Sequence, residues 1–185
     1  MAFQFKIQLR GITNPPVWRK LLVPEQFSFL QFHDVIQAAF GWNGTHLFRF
    51  SPNGYNSPTI SIPNKEWDME PVLNCKKIKL TEIFSAPKQK FVYLYDFGDD
   101  WFHDIVLEKI TDDKLIKADC IDGKGACPPD DCGGAWGYEN LKQIVKNPKD
   151  EEYKDMRDWL GLASDEVYNP NLFDIDNTRK LIREI

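Results

Sequence analysis

Two segments concentrate the side chains able to do chemistry. Tyr95, Asp96, Phe97, Gly98, Asp99, Asp100, Trp101, Phe102, His103 and Asp104 run consecutively. Later, Cys120 and Asp122 precede the run Cys127, Pro128, Pro129, Asp130, Asp131, Cys132, Gly133 and Gly134. Oxygen ligands suit Mg²⁺ or Ca²⁺, so Asp99, Asp100, Asp122, Asp130 and Asp131 form one candidate cation set. Thiolates suit zinc, so Cys120, Cys127 and Cys132 with His103 form a second. The cysteine spacing departs from the paired Cys-x2-Cys knuckles of common zinc modules. With a metal in place, His103, Asp100 and Asp131 are the candidate groups for hydrolysis of a phosphate or amide, His103 taking a raised pKa from nearby carboxylates. Plain turn chemistry competes with all of this. Gly98 at positive φ would close a hairpin while Asp96 and Asp99 bond turn amides, and His103, on the face shared with Trp101, would be a satisfied core histidine. The cysteines would then pack as small hydrophobes.

A second constellation is a ligand-binding set of Arg19, Trp42, His46, Tyr95, Asp96, Asp99, Trp101 and Tyr138. Arg19 is either an anion clamp in a cleft floored by Trp42 and Trp101, or a guanidinium stacked on a ring or paired with an Asp. Asp96-Phe97-Gly98 has the form of a kinase metal-binding tripeptide, but the chain lacks a glycine-rich nucleotide loop and a His-Arg-Asp catalytic loop. Gly123-Lys124-Gly125 lacks the phosphate-loop pattern, and no Ser or Cys sits in a nucleophile elbow.

Strands and turns must position these groups. Phe3, Phe5, Ile7 and Leu9 alternate with polar residues as a half-buried strand, Asn14-Pro15-Pro16 turns the chain, and Val17–Val23 returns. Ser28 and Gln31 form a capping-box signal for a helix carrying Phe32, Val35, Ile36, Ala39 and Phe40 and ending at Gly41. Strands follow at 46–50 and 59–62, then an irregular stretch at 66–74 and a short helix at 79–84. Phe91 to Tyr95 and Trp101 to Ile110 form a hairpin, with one more strand at 114–120. The period then becomes helical: Tyr138–Val145, a helix opened by Asn147 and Pro148 with Tyr153, Met156, Trp159 and Leu160 as its apolar face, and Asp174–Ile185.

At 185 residues, 42% apolar and 14% aromatic, the chain can bury a core without disulfide staples. The expectation is a single domain over residues 1–185: strand-rich to 120, a Gly/Pro loop at 120–137, helical from 138. The formal charge of −5 opposes non-specific nucleic-acid binding, which rests on cations meeting phosphates. The first residues alternate rather than forming the apolar core of a signal peptide, and no stretch approaches the roughly 18 apolar residues of a membrane helix, so a cytoplasmic protein is expected.

Pro16-Val17-Trp18-Arg19, Val23-Pro24, Ala38 to Trp42, His46-Leu47-Phe48, Tyr95 to Trp101 with His103, Pro128 to Gly134 and Gly137-Tyr138 occur in an order that resembles the Ri-plasmid (pRiA-type) Orf-three-like family of bacteria and archaea. The resemblance covers roughly residues 3–160 and implies an α/β roll. Members have carried the labels transposon resolvase and lysyl-tRNA synthetase. This chain has no serine amid an arginine cluster for the first, and is shorter than the catalytic domain the second requires. The combined expectation is an α+β fold with one twisted, mostly antiparallel or mixed sheet, helices packed on one face and a helical last third. Its expected role is a non-enzymatic binding or interaction module, for a protein or small ligand, with its site between the 96–104 hairpin and the 120–138 loop. A metal-dependent hydrolase is the first alternative and a nucleic-acid-associated protein of mobile elements the second.

Overall fold

The computed structural model describes residues 1–66 and 68–185. Alternation decides the first elements. Strand β1 (Ala2–Thr13) sends Phe3, Phe5, Ile7 and Leu9 into the core while Gln4, Lys6 and Gln8 take the other face. Strand β2 (Pro16–Pro24) returns antiparallel to it. Helix α1 (Phe29–Phe40) opens on the expected capping box: Ser28 Oγ accepts from the Gln31 N–H, and the Gln31 side chain accepts from the Ser28 N–H. It closes at Gly41, whose φ of 83° is the left-handed conformation glycine adopts without strain. Phe32 of this helix packs on Phe5 and Phe50, joining it to the sheet.

Six further strands follow: β3 (Phe48–Ser51), β4 (Thr59–Ser61), β5 (Val72–Asn74), β6 (Lys90–Tyr95), β7 (Trp101–Thr111) and β8 (Asp119–Lys124). They form one eight-stranded sheet in the order β5-β4-β3-β6-β7-β1-β2-β8. The β4–β5 pair is parallel and the other neighbouring pairs are antiparallel, so the sheet is mixed and the fold is α+β. Helices α2 (Gly134–Ile144), α3 (Tyr153–Trp159) and α4 (Ile175–Arg183) follow the last strand. Helix α4 contacts β8 and α1, and α2 contacts β1 and α3.

Several local expectations are corrected. Residues 66–74, read as irregular, contain β5, whose only register comes from pairing with β4; Trp67 of that stretch lies outside the described residues. The short helix at 79–84 is a single 3₁₀ turn at Leu80–Glu82. The last strand lies at Asp119–Lys124 rather than 114–120, because pairing Leu22 with Asp119 and Trp18 with Lys124 sets its limits. Part of the expected loop is therefore strand. Asn147 and Pro148 do not start a helix: Asn147 Oδ1 accepts from Lys149 N–H and Asp150 Oδ1 from Glu152 N–H, so these side chains close turns and α3 begins at Tyr153. None of α3 is buried, and Trp159 is half exposed, so its expected apolar face does not enter the core.

Candidate functional site

The β6–β7 turn, the start of β3 and the loop between β8 and α2 meet at one end of the sheet. In the turn, Asp96 and Asp100 take the positive φ values, 56° and 53°, and Gly98 does not, which corrects the expected hairpin tip. Short aspartate side chains tolerate this region because they hydrogen-bond locally. Asp96 Oδ1 accepts from Gly98 N–H at 2.9 Å, as the turn reading required. Asp99 does something else. Its Oδ2 accepts from Gly133 N–H at 3.1 Å, so it ties the turn to the later loop.

The glycines of that loop have a steric reason. A Cβ on Gly134 would lie 2.4 Å from the Asp99 carbonyl oxygen, and one on Gly137 would lie 1.8 Å from the Cys132 carbonyl oxygen. Only glycine permits the loop to press against the turn and then against itself as α2 begins. The indole of Trp42, just past α1, anchors the same loop by donating to Pro128 O at 2.9 Å. Trp42 also stacks on Tyr95, with ring centroids 5.1 Å apart, and leans on Trp101 at 5.6 Å.

These contacts bring His46 between two carboxylates. Its Nε2 lies 3.4 Å from Asp131 Oδ1 and its Nδ1 lies 3.8 Å from Asp96 Oδ2. Among the described residues, His46, Asp96 and Asp131 form the one group of three His, Cys, Asp or Glu side chains whose donor atoms all lie within 4.8 Å of one another. Burial pushes the Asp130 carboxyl above the usual range; His46 opposes the shift, while Asp131, Asp96 and Asp99 add to it. Asp130 Oδ1 is buried without a hydrogen-bond partner, and so is the hydroxyl of Tyr95, whose ring meets the His46 ring edge-on at 5.7 Å. Burial also raises the Tyr95 hydroxyl; nearby Thr45 opposes the rise and the Asp130 charge adds to it. The Trp101 Nε1 is also buried without a hydrogen-bond partner.

Other members of the expected sets lie elsewhere. His103 is wholly buried; its Nδ1 is 2.9 Å from the Trp101 carbonyl oxygen, and Phe40 and Trp42 pack edge-on against its ring. A carbonyl accepts, so Nδ1 carries a proton. Burial lowers the pKa to about 3, which corrects the alternative with a raised pKa among carboxylates. The three thiols of the zinc set are not drawn together with His103: no such group satisfies that spacing among the described residues. Burial pushes Cys120 up to about 11 and Cys132 up to about 12, so both thiols stay protonated. Asp122 is exposed in β8, where it pairs with Lys20 and accepts from Gly123 N–H, and Asp100 is exposed in the turn. The five-aspartate set is thus divided, and His46 and Asp96 stand beside Asp131 in its place.

Arg19 is buried and stacked between Phe40 and Phe173, with its guanidinium carbon 5.1 and 4.3 Å from the two ring centroids. It donates to the Ala39, Trp18 and Lys124 carbonyls, the first in the last turn of α1, where the helix dipole favours a cation. It is a clamp within the fold. Tyr138 is likewise buried, donating to Ala126 O and accepting from the Tyr168 hydroxyl. Sequence reasoning placed His46 and Asp96 in the ligand-binding set and Asp131 in the cation set, and did not bring the three together. The available signal was the ring of Tyr95 between them in the alternation of β6, which places Asp96 at the strand end.

The family described as plasmid pRiA4b ORF-3-like protein matches residues 1–177 of this chain. The uncharacterised protein y4hQ of Sinorhizobium fredii is 31% identical over 153 residues, covering 80% of this chain and 75% of the relative. A crystal structure of a protein of unknown function from Methanosarcina mazei Go1 superimposes with a TM-score of 0.81 at 33% identity, covering 95% of this chain and 96% of the other.

Proposed function

From the premise that this chain belongs to the plasmid pRiA4b ORF-3-like family, whose two relatives above carry no described activity, we propose that it is a binding module for a cationic ligand. Its site is the seam between the β6–β7 turn and the loop before α2. One observation carries the reading: Tyr95 Oη and Asp130 Oδ1 are buried without hydrogen-bond partners beside the carboxylates of Asp96 and Asp131. An unsatisfied buried polar group costs about 1–3 kcal/mol, so a ligand that satisfies both atoms recovers that cost on binding. Carboxylates and a phenol call for a positively charged or hydrogen-donating group. Exposed Leu47 and Phe97 adjoin His46 and Asp96 in the chain and supply apolar contact at the rim. A cytoplasmic setting belongs to the same reading, supported by four free cysteines. No helix among the described residues is long and apolar enough to cross a membrane.

A metal-dependent hydrolase is the second reading, favoured by the imidazole between two carboxylates. His46 rather than His103 would then carry protons, since His103 reaches no solvent.

The test compares the ligand-free stability of Tyr95→Phe with its response to lysine methyl ester as a cationic probe. Tyr95→Phe should raise stability by about 1 kcal/mol in a urea titration, because an unpartnered hydroxyl is removed. The probe should shift the Trp101 indole resonance in the parent protein and not in Asp131→Asn. Loss of stability in Tyr95→Phe, with no indole shift in the parent, would make the seam ordinary core.

A further inference from the structure

We infer that the seam is a divalent transition-metal site, with His46, Asp96 and Asp131 as the protein ligands and Tyr95 and Asp130 holding water bound to the ion. The inference rests on the pocket reading above and names its cation.

The donor set separates this site from the others the chain offers. Ligands each about 2.1 Å from one ion stand roughly 3.4 Å apart at a tetrahedral angle. The His46 Nε2 to Asp131 Oδ1 separation is 3.4 Å, and the third donor, from Asp96, falls within 4.8 Å of both partners. One imidazole with two carboxylates suits Zn²⁺, Mn²⁺ or Co²⁺; an all-oxygen set would suit Mg²⁺ or Ca²⁺. Carboxylates and an imidazole alone also describe a simple ion pair, so the surrounding atoms matter. Tyr95 is fully buried, its hydroxyl lies near Thr45 without a partner of good hydrogen-bond geometry, and its ring is edge-on to His46. Asp130 Oδ1, in the residue next to a ligand, is likewise unpartnered. A salt bridge between His46 and its neighbours would satisfy neither atom. A hydrated metal satisfies both, because its bound water donates to the carboxylate and accepts from the phenol. Such outer hydrogen bonds orient a metal's ligands and strengthen its binding.

Hydrogen bonds tie together the segments that carry the ligands. Asp96 is fixed by its bond to Gly98 N–H, and its own N–H donates to Leu47 O at 2.9 Å, which holds the His46 segment alongside. Asp131, largely exposed, lies two residues before Gly133, whose N–H donates to Asp99 and ties the loop to the turn. The three ligands come from the strand β6 end, the approach to β3 and the loop before α2, so a bound ion would cross-link segments far apart in sequence.

Untagged full-length protein is titrated with Co²⁺ and followed by visible absorption and by paramagnetic broadening of the Trp42 and Trp101 indole signals. We expect saturation at one ion per chain. His46→Ala and Asp131→Asn should abolish saturable binding, while Tyr95→Phe should weaken it by about 10–100-fold, as loss of an outer-shell partner does. Asp122→Asn and Asp100→Asn should bind as the parent does, and Cys127→Ser should leave the absorption unchanged. Circular dichroism checks that His46→Ala, at a partly exposed position, still folds. Absent saturation, equal binding by His46→Ala, or loss of binding in Cys127→Ser would each overturn the metal assignment. If Co²⁺ fails while lysine methyl ester still shifts the Trp101 indole, the pocket stands without its metal. If both fail, the pocket falls too.

Discussion

Among single residues, the three histidines divide by burial, and that division decides which of them is available for chemistry. His46 keeps a side chain 30% exposed between Asp96 and Asp131. His33 is buried with Nδ1 2.7 Å from the Tyr93 hydroxyl, and His103 is enclosed by aromatic rings. Burial lowers His33 to about 4 and His103 to about 3 from an ordinary value near 6.5. In the folded protein both are neutral at pH 5, whereas in the unfolded chain both bind protons there. The unfolded state therefore holds more protons, and stability rises with pH from about 5 to 6.5 and is fully present above that. The slope approaches about 1.4 kcal/mol per pH unit for each histidine. Urea midpoints measured between pH 5 and 7 should fall toward acid, and His33→Gln should remove close to half of the slope; a flat profile would contradict neutral burial. Alternation placed His103 on the Trp101 face correctly. Which face pointed inward depended on Trp42 arriving from the end of α1, a contact more than fifty residues away in sequence.

The loop before α2 illustrates what an element inherits from its neighbours. Its glycines and prolines read as a sharp reversal, and that part was legible. Their reason was not, because the atoms excluding a side chain at Gly134 belong to Asp99, thirty-five residues earlier. Gly134→Ala and Gly137→Ala should each destabilise the protein by about 1–3 kcal/mol, the range of an overpacked site. Gly41→Ala meets no atom within 4 Å and should cost only its left-handed strain, about 1–2 kcal/mol, with the pocket intact. Chemical denaturation with Co²⁺ titration separates these outcomes: the loop variants should lose metal affinity along with stability, and Gly41→Ala should lose stability alone. Caps divided in a similar way. Ser28 with Gln31 capped α1 as its sequence suggested, and Asp174, accepting from Asn177 N–H, caps α4. Asn147 offered an equal signal and closed a turn, since no apolar face of α3 finds a core to reward an earlier start.

Across the whole molecule, one sheet links the first residues to the last strand: β1 pairs with β2 and β7, β2 pairs with β8, and α4 returns to β8 and α1. A chain connected in this way should unfold as one unit. Far-ultraviolet circular dichroism and tryptophan fluorescence should give coincident urea transitions; separate midpoints would argue for a division within residues 1–185. On the strand faces Arg10 pairs with Asp104 and Lys20 with Glu108. The sequence by itself determined the α+β class, the β1–β2 and β6–β7 hairpins, the limits of α1 and the family, because periodicity, capping and turn chemistry act over a few residues. It also pointed to the end of the molecule where the proposed site lies, since aspartates, glycines and aromatic rings gather in those two segments. Tertiary structure alone decided that β5 is a strand, that β8 begins at Asp119, that Arg19, His103 and Tyr138 are core, and that His46 joins Asp96 and Asp131. Strand register at a sheet edge, burial, and the meeting of side chains from three distant segments are set by packing, and no local pattern encodes them.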